Sequence, residues 1–136
     1  MTDEKFCSTN VSRDGDHHAF AAGDKVDGVS LVVHQDGLAS RWTPDAIYVR
    51  LDGGPPLKLT ATPISSDVHC SRYRVCRWTA SAAAKLTAAQ WAQIAAAQSV
   101  LMALAEGDAV TEPMKVEAAQ VREWLESLAA EGMVPR

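Results

Sequence analysis

The sequence predicts an α+β domain: an antiparallel sheet of four to five strands followed by a C-terminal two-helix hairpin. Three observations carry that prediction. Residues 29–79 hold segments that alternate apolar and polar side chains between Gly- and Pro-rich breaks. Residues 86–105 contain no charged side chain. Residues 111–132 space their apolar side chains as one face of a helix. Strands that precede helices, rather than alternating with them, imply antiparallel pairing.

The elements follow in order. Residues 1–28 read as an irregular N-terminal arm, rich in Ser, Asp, Gly and His, with Phe6 and Phe20 as its large anchors. Residues 29–136 read as the single folded domain. No apolar targeting segment follows Met1–Lys5. Val29–His34 is a strand with Val29, Leu31 and Val33 on one face. The Asp36-Gly37 pair marks a tight turn, and Leu38–Trp42 returns antiparallel. Ala46–Leu51 buries Ile47, Val49 and Leu51 and turns Tyr48 and Arg50 outward. Asp52-Gly53-Gly54-Pro55-Pro56 is a second turn. Leu57–Thr62 repeats the alternation, Pro63–Asp67 is a loop, and Val68–Thr79 is a fifth strand, bulged or at an edge.

Helical signals come next. Thr87 followed by Gln90 is a capping box, and Ala88–Glu106 is predicted helical as far as Gly107. Trp91, Ile94, Leu101 and Met102 share one arc, but the opposite arc is alanine-rich and lacks a charged face. A final helix begins at Thr111, with Glu112 and Pro113 in its first turn and Gly132 at its end. Met114, Ala118, Val121, Trp124, Leu125 and Leu128 form its apolar arc, and Arg122 can pair with Glu126.

The chain has 136 residues, 47% of them hydrophobic and 22% charged, which suits one domain with its own core. The formal net charge of −4 argues against general nucleic-acid binding. The charge is segregated: residues 37–80 carry six bases and three acids, while both flanks are acidic. The 20-residue uncharged run is long enough to span a bilayer, but it is rich in Ala and Gln. A soluble cytoplasmic protein with no membrane contact is the expectation. If Cys70 and Cys76 lay on one regular strand they would be roughly 20 Å apart, so reduced thiols are expected.

No catalytic or cofactor motif stands out. His17, His18, His34, His69, Cys7, Cys70 and Cys76 are ligand types, but none falls into C-x2-C or H-x3-H spacing. Neither a metal nor a cofactor is expected. The Gly53-Gly54 turn is followed by stiff prolines rather than a helix, so it makes no phosphate loop. The residues that attract attention are Tyr48, Arg50, Lys58, Arg72, Arg74 and Trp78, which strand parity places on one outer face. Arginine beside aromatic rings is the usual anchor chemistry of a protein interface. It is also what a single-stranded nucleic acid stacks and pairs on. The uncharged helix suggests a homodimer interface through Trp91, Ile94, Gln98 and Leu101. The functional expectation is a non-catalytic protein-binding module, such as an inhibitor, an immunity-type protein or a subunit of a larger complex. Nucleic-acid or nucleotide binding is the alternative, and a small enzyme using Cys70 or Cys76 with a histidine comes third.

Overall fold

The computed structural model describes residues 6–135. Met1–Lys5, and with them the start of the predicted arm and the targeting-segment expectation, lie outside the described residues. Along the chain the strands and helices are β1 (Cys7–Ser8), β2 (Ser12–Asp14), β3 (His17–Asp24), β4 (Gly28–Leu38), β5 (Ala46–Leu51), β6 (Leu57–Thr60), β7 (Thr62–Cys70), β8 (Cys76–Lys85), α1 (Ala88–Ala96), β9 (Val100–Glu106), β10 (Ala109–Val110), β11 (Met114–Val116) and α2 (Ala118–Ala130). The α+β class holds, with antiparallel pairing throughout, but the strands divide into two sheets. The first runs β1-β3-β4-β8-β7, with β2 also on β3; the second runs β10-β9-β5-β6, with β11 also on β9.

The region from Cys7 to Asp24 is not an irregular arm: it supplies three strands of the first sheet. Sequence reasoning missed them because their core face is built from Ala19 and Ala21, both fully buried. Alanine is a poor strand former by propensity, and here packing overrides it. The same economy recurs in β8, where Ala80, Ala82 and Ala84 are buried. Close approach is enforced where β3 turns into β4: a Cβ on Gly23 would sit 2.5 Å from the Gly28 carbonyl oxygen.

The predicted turn at Asp36-Gly37 and the return strand Leu38–Trp42 do not form. β4 continues to Leu38, and its register against β8 shifts between Gln35 and Leu38. Gly37, at φ 72°, sits in that irregularity, so the glycine serves a bulge within the strand and not a hairpin. β5 and β6 appear where the alternation predicts them, and Ile47, Val49 and Leu59 are buried. β6 and β7 are separated only by Ala61, whose N–H donates to the Asp45 carbonyl (3.0 Å), so one stretch of chain passes from the second sheet into the first.

The largest correction concerns residues 97–116. The Thr87–Gln90 capping box is present: the Thr87 hydroxyl accepts from the Gln90 N–H (3.2 Å), and the Gln90 side chain accepts from the Thr87 N–H (2.9 Å). The helix then stops at Ala96. The Asp52 carboxylate accepts the N–H groups of Gln98 (2.8 Å) and Ser99 (2.9 Å), and the chain continues as β9 through the middle of the second sheet. A strand buried on both faces is an unbroken apolar run, and periodicity cannot separate it from a buried helix. Thr111 does not cap a helix either. It is buried at the sheet edge, where its hydroxyl accepts from Leu104 N–H (3.0 Å) and its N–H donates to Leu104 C=O (2.9 Å). Three strands therefore separate the two helices, and the C-terminal helix hairpin is replaced by two helices that touch.

In α2 the predicted face holds: Ala118, Val121, Trp124 and Leu128 are buried. The helix ends as expected at Gly132, with the bonds Met133 N–H to Leu128 C=O (2.9 Å) and Gly132 N–H to Ala129 C=O (3.0 Å) that define a Schellman cap. Arg122 does not reach Glu126; its guanidinium donates to the Ala95 carbonyl (2.7 Å) near the end of α1. Trp124 Nε1 donates to the Asn10 carbonyl (2.7 Å), fastening the β1–β2 connection to α2. One continuous core takes the inner faces of both sheets together with Trp91, Ile94, Val121, Trp124 and Leu128.

Candidate functional site

The segment read as one ambiguous strand, Val68–Thr79, is the outer end of the β7–β8 hairpin. Register pairs Val68 with Trp78, His69 with Arg77 and Cys70 with Cys76. The cysteines form a disulfide with Cα atoms 4.0 Å apart, which corrects the expectation of free thiols. The error lay in the assumption of one straight strand. A three-residue loop, 72–74, folds the segment back, so residues six apart in sequence face each other. The Ser71 N–H donates to the Val75 carbonyl (2.8 Å). That leaves the next pair, Cys70 and Cys76, at a position where opposed side chains come closest.

The turn closes with the Arg74 N–H donating to the Ser71 carbonyl (3.0 Å). Arg74 has φ 63°, in the left-handed region that this three-residue hairpin loop normally fills with glycine. Holding a long side chain there costs about 1–2 kcal/mol. The last pairing of β8 with β4 is Trp78 with Leu38, so Cys76 and Arg77 extend past that neighbour. Residues 67–77 are all exposed. At the tip stand Arg72, Tyr73 (81% exposed), Arg74 and Val75 (62%), with Arg77 just below.

The six residues expected on one basic-aromatic face do not share one sheet. Arg72 and Arg74 belong to the hairpin tip, and Trp78 is half-buried at its base in the first sheet. Tyr48, Arg50 and Lys58 lie on the outer face of the second. Tyr48 and Lys58 are cross-strand partners, with the Lys58 ammonium 6.0 Å from the Tyr48 ring centroid. Arg50 is opposite Leu101. Tyr48, Arg50, Leu101, Val110 and Pro113 line a shallow cavity of about 330 Å³.

Of the residues assigned to a dimer contact, Trp91 (1% exposed) and Ile94 (0%) are spent in the chain's own core. Gln98 and Leu101 reach the surface. The alanine-rich side of α1 belongs to a helix of only nine residues, and the uncharged run ends not in helix but in the strand that starts at Val100. The thiol-enzyme expectation also falls in this state, since Cys70 and Cys76 are bonded to each other and carry no thiolate. Cys7 is the free cysteine among the described residues. No group of three or more His, Cys, Asp or Glu among the described residues is placed to hold a metal ion. No described helix is long and apolar enough to cross a membrane.

The sequence held one usable sign of the hairpin. Two cysteines separated by five residues, inside an otherwise strand-like run, are compatible with a closed loop. No family model matches the chain, and neither a curated protein nor a solved structure matches it.

Proposed function

We propose that the protein is a non-catalytic binding module that presents the tip of the β7–β8 hairpin to an acidic face of another protein. The observation that carries this reading is the cross-linked loop itself, which shows an almost fully exposed tyrosine between two arginines. Tyrosine and arginine are the residue types on which interface energy concentrates. A loop already closed by a covalent bond loses little further entropy when a partner orders it. An arginine kept where glycine is easier indicates that its side chain matters more than the backbone cost. The disulfide also favours an oxidising compartment over the cytoplasm expected from free thiols. Inhibitors and subunits of larger complexes are the kinds of protein that work through such a rigid loop.

The test is affinity capture with the intact, oxidised protein. A stoichiometric protein should be recovered by the parent, and Tyr73→Ala should weaken that complex by about 30-fold, the scale of an interface anchor. Arg72→Glu with Arg74→Glu should abolish capture. A partner retained equally by all three forms sinks the proposal. So does tight, salt-sensitive retention on single-stranded oligonucleotide without any protein partner, which is the signature of the nucleic-acid alternative.

A further inference from the structure

The outer face of the first sheet carries a groove that the hairpin tip does not use. Its floor runs along β3, β4 and β8, with Phe20, Ala22, Val32 and Ala83 in the middle, and it encloses about 820 Å³. Small side chains on three neighbouring strands create the depression. Phe6 (69% exposed) and Ile64 (56%) stand at its rim. Cavities of a few hundred to about 1,000 Å³ are typical of small-molecule sites.

The polar groups are sorted to the two ends and differ in charge, two carboxylates with one lysine at the first and one arginine with two histidines at the other. At the first end, Asp24 accepts from the Val26 N–H (2.9 Å) and the Asp27 N–H (2.5 Å), and Asp27 pairs with Lys85 at 3.7 Å. In the floor, the Ser65 and Ser81 hydroxyls bond to each other (2.5 Å). At the other end, six residues along β3 and therefore roughly 20 Å away, His18 and His34 stack with ring centroids 5.4 Å apart. The Arg13 guanidinium donates to His18 Nε2 (2.7 Å), and no carboxylate among the described residues forms an ion pair with Arg13.

We propose that this groove binds a small anionic amphiphile, its apolar body lying over Phe20, Val32 and Ala83 and its carboxylate held by Arg13 and the His18–His34 pair. Charge complementarity selects the anion: Asp24 and Asp27 are held by backbone N–H groups and Lys85, whereas Arg13 forms no ion pair among the described residues, and Asp36 is the carboxylate that acts on the His18 end. A peptide is a poorer occupant, because the floor is formed by strands whose backbone groups are already spent on sheet pairing. Arg13 would be an ionised hydrogen-bond partner, so losing it should weaken dodecanoate binding about tenfold or more.

The experiment is calorimetric titration of the intact protein with dodecanoate below its micelle concentration, beside dodecan-1-ol and dodecyltrimethylammonium. Dodecanoate should bind in a one-to-one ratio, the alcohol at least tenfold more weakly and the cation more weakly still. Arg13→Gln should remove the preference for the carboxylate, and Ala83→Leu, which fills the floor, should remove binding of all three. In nuclear magnetic resonance spectra of the parent, the His18 and His34 ring signals should move as dodecanoate is added. Equal affinity for acid and alcohol, undiminished binding by a folded Ala83→Leu variant, or unmoved histidine signals would each overturn the proposal.

Discussion

The two halves of β8 show two ways of holding a strand in place. From Ala80 to Ala84 its inner face is alanine, buried in the shared core and packed against β5 and β6 of the second sheet. From Cys76 to Arg77 it has left the sheet core and is held by one disulfide and one facing strand. The buried half depends on shape, because interiors are packed densely enough that a few extra methylenes are felt. The projecting half depends on connectivity, and its side chains are free to be chosen for contact with something else. In the proposed reading, a single strand thus separates stability from recognition by position along its length.

The contrast is sharpest for neighbouring alanines. Ala82→Leu, which pushes into the core, should destabilise the protein by about 1–3 kcal/mol. Ala83→Leu points into the outer groove and should stay within about 0.5 kcal/mol of the parent. Denaturant unfolding of the two variants checks this, and equal losses would mean that both faces of β8 are core. Cutting the other restraint should have a different character. In the chain-entropy account, a disulfide spanning six residues contributes about 2 kcal/mol at most. Because Cys70 and Cys76 close a projecting end, much of that should appear as local fraying. The Cys70→Ser, Cys76→Ser double variant should exchange amide protons faster from 71 to 77 and little faster in Ala80–Ala84. Uniform acceleration along β8 would show that the two halves unfold together.

The smallest effect lies on the outer face of the first sheet. Burial lowers the pKa of His18, and the charge of Arg13, with a lesser contribution from His34, lowers it further; the carboxylate of Asp36 opposes them. His18 therefore takes up a proton more readily in the unfolded chain. Its contribution is fully present above the unfolded value near 6.5 and is lost as pH falls through the lower folded value. His18→Gln should flatten the decline in melting temperature between about pH 7 and pH 5. The change should be slight because this ring is only partly buried. An unaltered pH profile would remove His18 from the account.

What sequence could reveal here depended on how each element carries its information. Ala46–Leu51 and Leu57–Thr60 alternate because one face is wet and the other dry, and they were readable. The Thr87–Gln90 cap and the stop at Gly132 are local chemistry, and they were readable too. β3 was hidden by its alanines, which are small for steric reasons that only the facing elements explain. β9 was hidden because both its faces are buried, and the instruction to leave the helix comes from Asp52, remote in sequence. The arginines of the candidate site were singled out for their chemistry. The projection that sets Arg72 and Arg74 apart from Tyr48, Arg50 and Lys58 follows from a three-residue hairpin loop that strand parity alone does not detect.

The unbroken run from Leu57 to Cys70 has a mechanical consequence. It binds the two sheets as a spine binds facing pages, with Ala61 as the crease and its backbone tethered to Asp45. A load taken up at the fingertip beyond His69 is therefore borne along a continuous backbone that ends beside the Tyr48–Lys58 pair, with no loop between them to absorb it.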